Sequence, residues 1–218
     1  MSKKQFAVIL SGCGHQDGAE IHEATLTLWA IHKNGAEFHC YAPDIKQHHV
    51  LNHITGQEMS EQRNVLIESA RIARGKIASL ATFVPESVDG LVIPGGFGAA
   101  KNLSSYAFDG PGCKVNRDVA GAIKAMHAVG KPIGALCIAP VIIAKVLGDV
   151  TLTIGQDSGT AANLATMGAT HTPTLPGEIV IDRQHKIVTT PCYMLNSRVD
   201  QIADGADNLI QAMLAMMA

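Results

Sequence analysis

Cys137 stands between an apolar run and a proline, in Gly134-Ala135-Leu136-Cys137-Ile138-Ala139-Pro140. In an open α/β sheet, a residue on the sharp turn from strand to helix is held out of the core at the carboxyl edge, where ligands bind. If Ile138 to Leu147 forms the helix, Pro140 falls in its first turn, where amides have no intrahelical acceptor. Those free N–H groups and the helix dipole favour a thiolate at Cys137. The alternative is a cysteine that only packs, since cysteine is among the most buried residue types.

A nucleophile also needs donors for the oxyanion formed on attack and a group to move the proton. Gly95 and Gly96 follow the strand-like run Asp89 to Pro94 and can present amides without Cβ obstruction; the amide of Ile138 is a further donor. The loop after the first strand supplies Asp17, Glu20, His22 and Glu23. Asp17 and Glu20 have the N-cap and N3 spacing of a capping box, which leaves Glu23 as the free carboxylate about one turn into the helix. A solvated surface glutamate is the alternative.

These residues need elements to hold them. Phe6 to Leu10 is a short apolar run broken by Gly12 and Gly14, as in a buried parallel strand, and Ile21, Ala24, Leu28 and Ile31 follow at helical period. Glu37 to Ala42 makes a second strand. The stretch from Ile45 to Ala81 is less regular, with a helix over Asn64 to Ala73 and a short strand over Ile77 to Leu80. Val119, Ile123, Met126 and Val129 mark a helix closed by Gly130, and Pro132 to Leu136 is the strand that delivers Cys137. Glu178 to Asp182 and Lys186 to Thr190 suggest a hairpin, and Val199, Ile202, Ala206, Ile210, Met213 and Met217 share one face of a closing helix. The alternation predicts a single α/β domain over residues 1–218, a three-layer sandwich without repeat or linker.

With 17 Lys plus Arg against 19 Asp plus Glu and no basic stripe, nucleic acid is an unsuitable partner. No apolar run approaches the roughly 20 residues of a spanning helix, and the N-terminal run is shorter than a secretory core. A cytoplasmic protein without membrane contact is the expectation. Five scattered cysteines lacking a C-x-x-C pair point to neither a disulfide framework nor a zinc knuckle. Gly12, Gly14 and Gly18 miss the dinucleotide spacing because Asp17 occupies the position of the last glycine. His48, His49 and His53 include an i, i+4 pair, but no H-E-x-x-H motif or clear third metal ligand accompanies it. Cys13 and Cys192 are candidate resolving thiols, and Asn102 and Tyr193 candidate pocket residues without an assigned role.

Taken together, Ser11 to Leu28, Val92 to Ser104, Cys137 to Pro140 and Val188 to Leu195 resemble the ElbB or ES1 branch of the DJ-1/PfpI superfamily, also labelled isoprenoid-biosynthesis or sigma cross-reacting proteins. The resemblance spans essentially the whole chain. It implies a flavodoxin-like three-layer α/β/α sandwich related to class I glutamine amidotransferases, commonly a homodimer. It places the elbow nucleophile on Cys137, the glutamate bonded to that thiol on Glu23, and the oxyanion glycines on Gly95 and Gly96. The activity it implies is a cofactor-independent, glutathione-independent glyoxalase that converts glyoxal, a small aldehyde, to glycolate, with no metal.

Two departures bear on that expectation. The histidine that directly follows the cysteine in protease-like members is Ile138 here, and the stretch Thr151 to Asp157, which carries a histidine in other members, has none. A Cys-His-Glu triad for peptide or glutamine hydrolysis is thereby disfavoured. The alternative from another class is a redox-sensing or partner-binding module using the same cysteine.

Overall fold

A computed structural model describes residues 3–217. Strand β1 (Gln5–Ile9) runs into the glycine loop, and helix α1 (Ile21–Lys33) follows. The expected capping box is displaced. Glu20, not Asp17, is the N-cap, its carboxylate accepting the Glu23 amide at 2.8 Å. The loop first folds on itself, the Gly18 amide donating to Gly14 at 2.6 Å and the Gly14 amide to Ala19 at 2.9 Å. Asp17 is thus turned inward, where its Oδ2 accepts the Leu51 amide at 2.6 Å.

Then come β2 (Glu37–Ala42), α2 (Val65–Ile72), β3 (Ile77–Ser79) and β4 (Gly90–Ile93). Short helices α3 (Phe97–Lys101) and α4 (Tyr106–Asp109) lead to α5 (Arg117–Ala128), β5 (Ile133–Leu136) and α6 (Pro140–Leu147). The chain continues through β6 (Thr151–Leu152), α7 (Ser158–Thr166), β7 (Thr170–His171), the hairpin β8 (Val180–Asp182) and β9 (Ile187–Thr190), and α8 (Val199–Ala215). Helix α6 starts at Pro140 rather than Ile138, because Ile138 and Ala139 are used in the turn itself. Val129 and Val199 are exposed, contrary to their expected core faces. Each sits at a helix end, Val129 as the C-cap of α5 and Val199 as the first residue of α8.

The main sheet has the order β3-β2-β1-β4-β5-β9-β8, parallel except for β8, and β6 pairs with β7 separately. Side chains alternate across it. Ala7, Ile9, Leu91, Ile93, Ile133 and Ala135 join the core under α5 and α6, whereas Phe6, Val8, Val92 and Leu136 join the core under α1 and α8. Each fully buried Ile or Leu contributes on the order of 2 kcal/mol relative to exposure. This is a flavodoxin-like α/β/α sandwich. The strand order reverses between β1 and β4, and a crevice for ligands opens beyond the carboxyl ends of strands at such a point. The loops after β1, β4 and β5 all reach that edge.

Candidate active site

Strand β5 ends at Leu136, and Cys137 adopts φ 59°, a left-handed conformation uncommon outside glycine. The cost, on the order of 1–2 kcal/mol, is borne because neighbouring bonds leave no alternative. The Cys137 amide donates to Thr190 on β9 at 2.9 Å, and the Ala139 amide closes the turn on Leu136 at 3.0 Å. The residue is 7 % exposed, and the Glu23 carboxyl and the amides of Gly96 and Ile138 are the polar groups that act on its thiol.

Glu23 is fully buried behind the thiol. Its Oε2 accepts the Gly95 amide at 3.0 Å and its Oε1 the Tyr193 amide at 3.3 Å. Burial first, and the nearby Glu20 carboxylate second, push the Glu23 pKa up to about 8 despite those donors. Burial and Glu23 also raise the Cys137 thiol, outweighing the Gly96 and Ile138 amides that favour the thiolate. The resting thiolate expected from the helix terminus is therefore replaced by a protonated Cys–Glu pair. The helix terminus is too small an effect, at about 0.3–1 kcal/mol, against the burial of the thiol.

The expected oxyanion trio is divided. Gly95 spends its amide on Glu23, leaving Gly96 and Ile138 directed at Cys137. Both glycines are required sterically. A Cβ on Gly95 would lie 2.4 Å from the Cys137 Cβ and 2.6 Å from Glu23 Oε2, and Gly96, at φ 91°, would meet the Glu20 amide nitrogen at 2.4 Å.

A pocket of about 750 Å³ opens in front of the thiol, lined by Cys137, Gly96, Ile138, Glu20, His22 and Tyr193 among others. His22 Nδ1 and the Tyr193 hydroxyl are 2.8 Å apart, so Tyr193 holds Glu23 with its amide and His22 with its side chain. His15 also lines the pocket, brought there because its carbonyl accepts the Phe97 amide at 2.7 Å. Sequence reasoning missed His15 and gave Tyr193 no role; the signal was that both lie inside the matched motifs.

Asn102 buckles the glycine loop instead of entering the pocket, its Nδ2 donating to the Ser11 and Asp17 carbonyls at 2.9 Å each. Cys192 is buried at φ 43° in the neighbourhood of Glu23 and Cys137, whereas Cys13 lies near Glu68 and Arg71 of α2. His48 and His49 pack on Phe108, while His53 approaches Asp17 at 3.8 Å. Among the described residues no group of three or more His, Cys, Asp or Glu is placed to hold a metal, and no helix is long and apolar enough to cross a membrane.

No protein-family model matches the chain. It is 46 % identical to the human glutamine amidotransferase-like class 1 domain-containing protein 3, mitochondrial, over 96 % of this chain and 82 % of that one. The rat ES1 protein homolog, mitochondrial, is 44 % identical over 98 % and 84 %. The chain belongs to the ES1 family. A crystal structure of an isoprenoid biosynthesis protein with amidotransferase-like domain, from Ehrlichia chaffeensis, superposes with TM-score 0.92 at 36 % identity, covering 99 % and 100 % of the two chains. At the level of fold alone, glyoxalase III from Candida albicans superposes with TM-score 0.62 at 16 % identity over 98 % and 97 %. The names of the two ES1-family relatives place those proteins in mitochondria, a compartment that the cytoplasmic expectation did not foresee.

Proposed function

We propose that the protein is a glutathione-independent glyoxalase acting on small 2-oxoaldehydes through Cys137. The observation that carries this reading is the elbow thiol held between two amides and a buried acid, in the pocket wall. The likeness to glyoxalase III supports the scaffold only.

With Glu23 ionised, its carboxylate takes the thiol proton as sulfur bonds to one aldehyde carbon. The carbonyl π pair moves to oxygen, where the Gly96 and Ile138 amides stabilise it until Glu23 returns the proton. Glu23 then removes the hydrogen from the hemithioacetal carbon and delivers it to the neighbouring carbon through an enediol, leaving a thioester. Water cleaves the carbon–sulfur bond, releasing glycolate and the thiol. One carbon is oxidised and its neighbour reduced, so no external oxidant is required. Gly95 and Tyr193 act by positioning Glu23.

Deuterium labelling tests this sequence. Glyoxal turned over in D₂O gives glycolate with one solvent deuterium on carbon if the proton passes through Glu23 and exchanges. Glycolate free of carbon-bound solvent deuterium would mean a direct hydride shift.

The second reading, a redox sensor, draws on Cys192, a buried thiol in the neighbourhood of Glu23 and Cys137. Stoichiometric oxidation of Cys137 without turnover of aldehyde would favour it. The resemblance further supports a homodimer, which sedimentation of the purified chain tests.

A further inference from the structure

Glyoxal is no larger than acetate, yet the pocket before Cys137 measures about 750 Å³. Pockets of roughly 300–1,000 Å³ enclose ligands of drug size. The space is also the wrong kind for glyoxal alone. Phe97 and Ala100 of α3, Tyr106 of α4, Ile138 of the elbow and Met194 after β9 bring apolar surface from four separate segments to the lining. The charged side chains on the lining are Glu20 and Asp157, both acidic, and neither Lys nor Arg is among the described lining residues. Lys101, whose ammonium lies 5.1 Å from the Phe97 ring centroid, donates to the Gln16 carbonyl at 2.9 Å instead. A carboxylate or phosphate on the substrate would meet two like charges and no Lys or Arg; of the two lining imidazoles, His15 and His22, the latter is already paired with the Tyr193 hydroxyl at 2.8 Å.

We infer that the preferred substrate, on the glyoxalase reading above, is an uncharged 2-oxoaldehyde whose ketone bears an apolar arm of about the size of a phenyl ring. The aldehyde carbon bonds to Cys137 sulfur, and the arm lies along Phe97, Tyr106 and Met194. The chemistry is unchanged: the hydrogen moves from the former aldehyde carbon to the ketone carbon, and water releases R–CH(OH)–COO⁻ with one proton. The product gains the negative charge that the acidic lining disfavours, which speeds its departure.

The test compares kcat/KM for glyoxal and phenylglyoxal, without glutathione, on the full chain and on Ala107→Trp, an exposed position on α4 that lines the pocket. Burying a phenyl ring is worth about tenfold or more. The inference expects phenylglyoxal to exceed glyoxal by at least about that factor, and the ratio to fall at least about fivefold in Ala107→Trp. Glyoxal turned over as well as or better than phenylglyoxal overturns the inference and leaves the glyoxalase reading standing. If neither is turned over, the glyoxalase reading fails, and the pocket is decided by Cys137 alkylation, with rates normalised to free cysteine. N-benzylmaleimide reacting faster than N-methylmaleimide, and iodoacetamide faster than iodoacetate, supports an uncharged ligand with an apolar arm; equal or reversed order overturns it.

Discussion

Cys40 lies within β2, 2 % exposed, and burial alone pushes its thiol up to about 11. Cys137 lies one residue beyond β5 and is almost as buried, but its neighbourhood is different in kind: φ 59°, two amides on the sulfur, a carboxyl behind it and a pocket in front. Burial makes both thiols poor nucleophiles at rest. On the proposed reading the elbow adds what β2 cannot, a base that gathers the proton and donors that receive the charge as sulfur reacts. Reactivity at Cys137 is thus a property of the assembled pair and not of a low resting pKa.

The largest expected effect that sharpens this contrast is Cys137→Ser, which lowers kcat/KM for glyoxal by about a thousandfold or more, read by glycolate formation. Glu23→Gln follows, with a loss of about 10²–10⁴. If, as proposed, Glu23 accepts the thiol proton, it must be ionised to do so, and wild-type kcat/KM rises with pH through about 8, a rise that Glu23→Gln loses. Stability moves the other way. Between the ordinary carboxylate value of 4.5 and about 8 the folded state holds a proton that the unfolded state has lost. Stability therefore falls as pH rises through this window, by up to about 1.4 kcal/mol per pH unit. Glu23→Gln removes that fall and melts higher at pH 8, as calorimetry would record.

Smaller changes probe the supports. Gly95→Ala forces a Cβ into Cys137 and Glu23 and costs about 1–3 kcal/mol in thermal or urea unfolding, with activity down about a hundredfold as Glu23 shifts. Tyr193→Phe keeps the amide on Glu23 and removes only the bond to His22, so kcat changes by less than about tenfold in steady-state assays. Cys40→Ala is the smallest for catalysis: kcat/KM stays within about twofold while stability drops by about 1 kcal/mol. A Cys40→Ala enzyme as impaired as Cys137→Ser would break the comparison.

How much was legible depended on the range of the interaction. Phe6 to Leu10, Asp89 to Pro94 and Pro132 to Leu136 announce buried strands because a strand covered on both faces is apolar throughout. Local spacing placed Cys137 just past a strand and Glu23 in the first turn of a helix, as found, although Glu23 was singled out through a capping box that the structure displaces. The misplacement of Asp17 as N-cap has the opposite cause: its partner, Leu51, is 34 residues away and belongs to an irregular segment without period. Likewise, Gly95 and Glu23 are 72 residues apart, so no local pattern tells which glycine amide serves the acid and which the sulfur. The raised thiol depends on desolvation, which the packed sandwich alone creates. His15 and Tyr193 entered the site through loop contacts with Phe97 and Glu23, again beyond the reach of spacing.

On the proposed reading Cys137 carries the substrate covalently through the acyl transfer. Rapid-quench intact-mass and peptide analysis of the protein turning over glyoxal tests it most directly. The account predicts a glycolyl thioester on the Cys137 peptide that forms before free glycolate and decays as glycolate accumulates, with Cys40 unmodified. Glycolate appearing at the full rate while Cys137 remains unmodified throughout would contradict it.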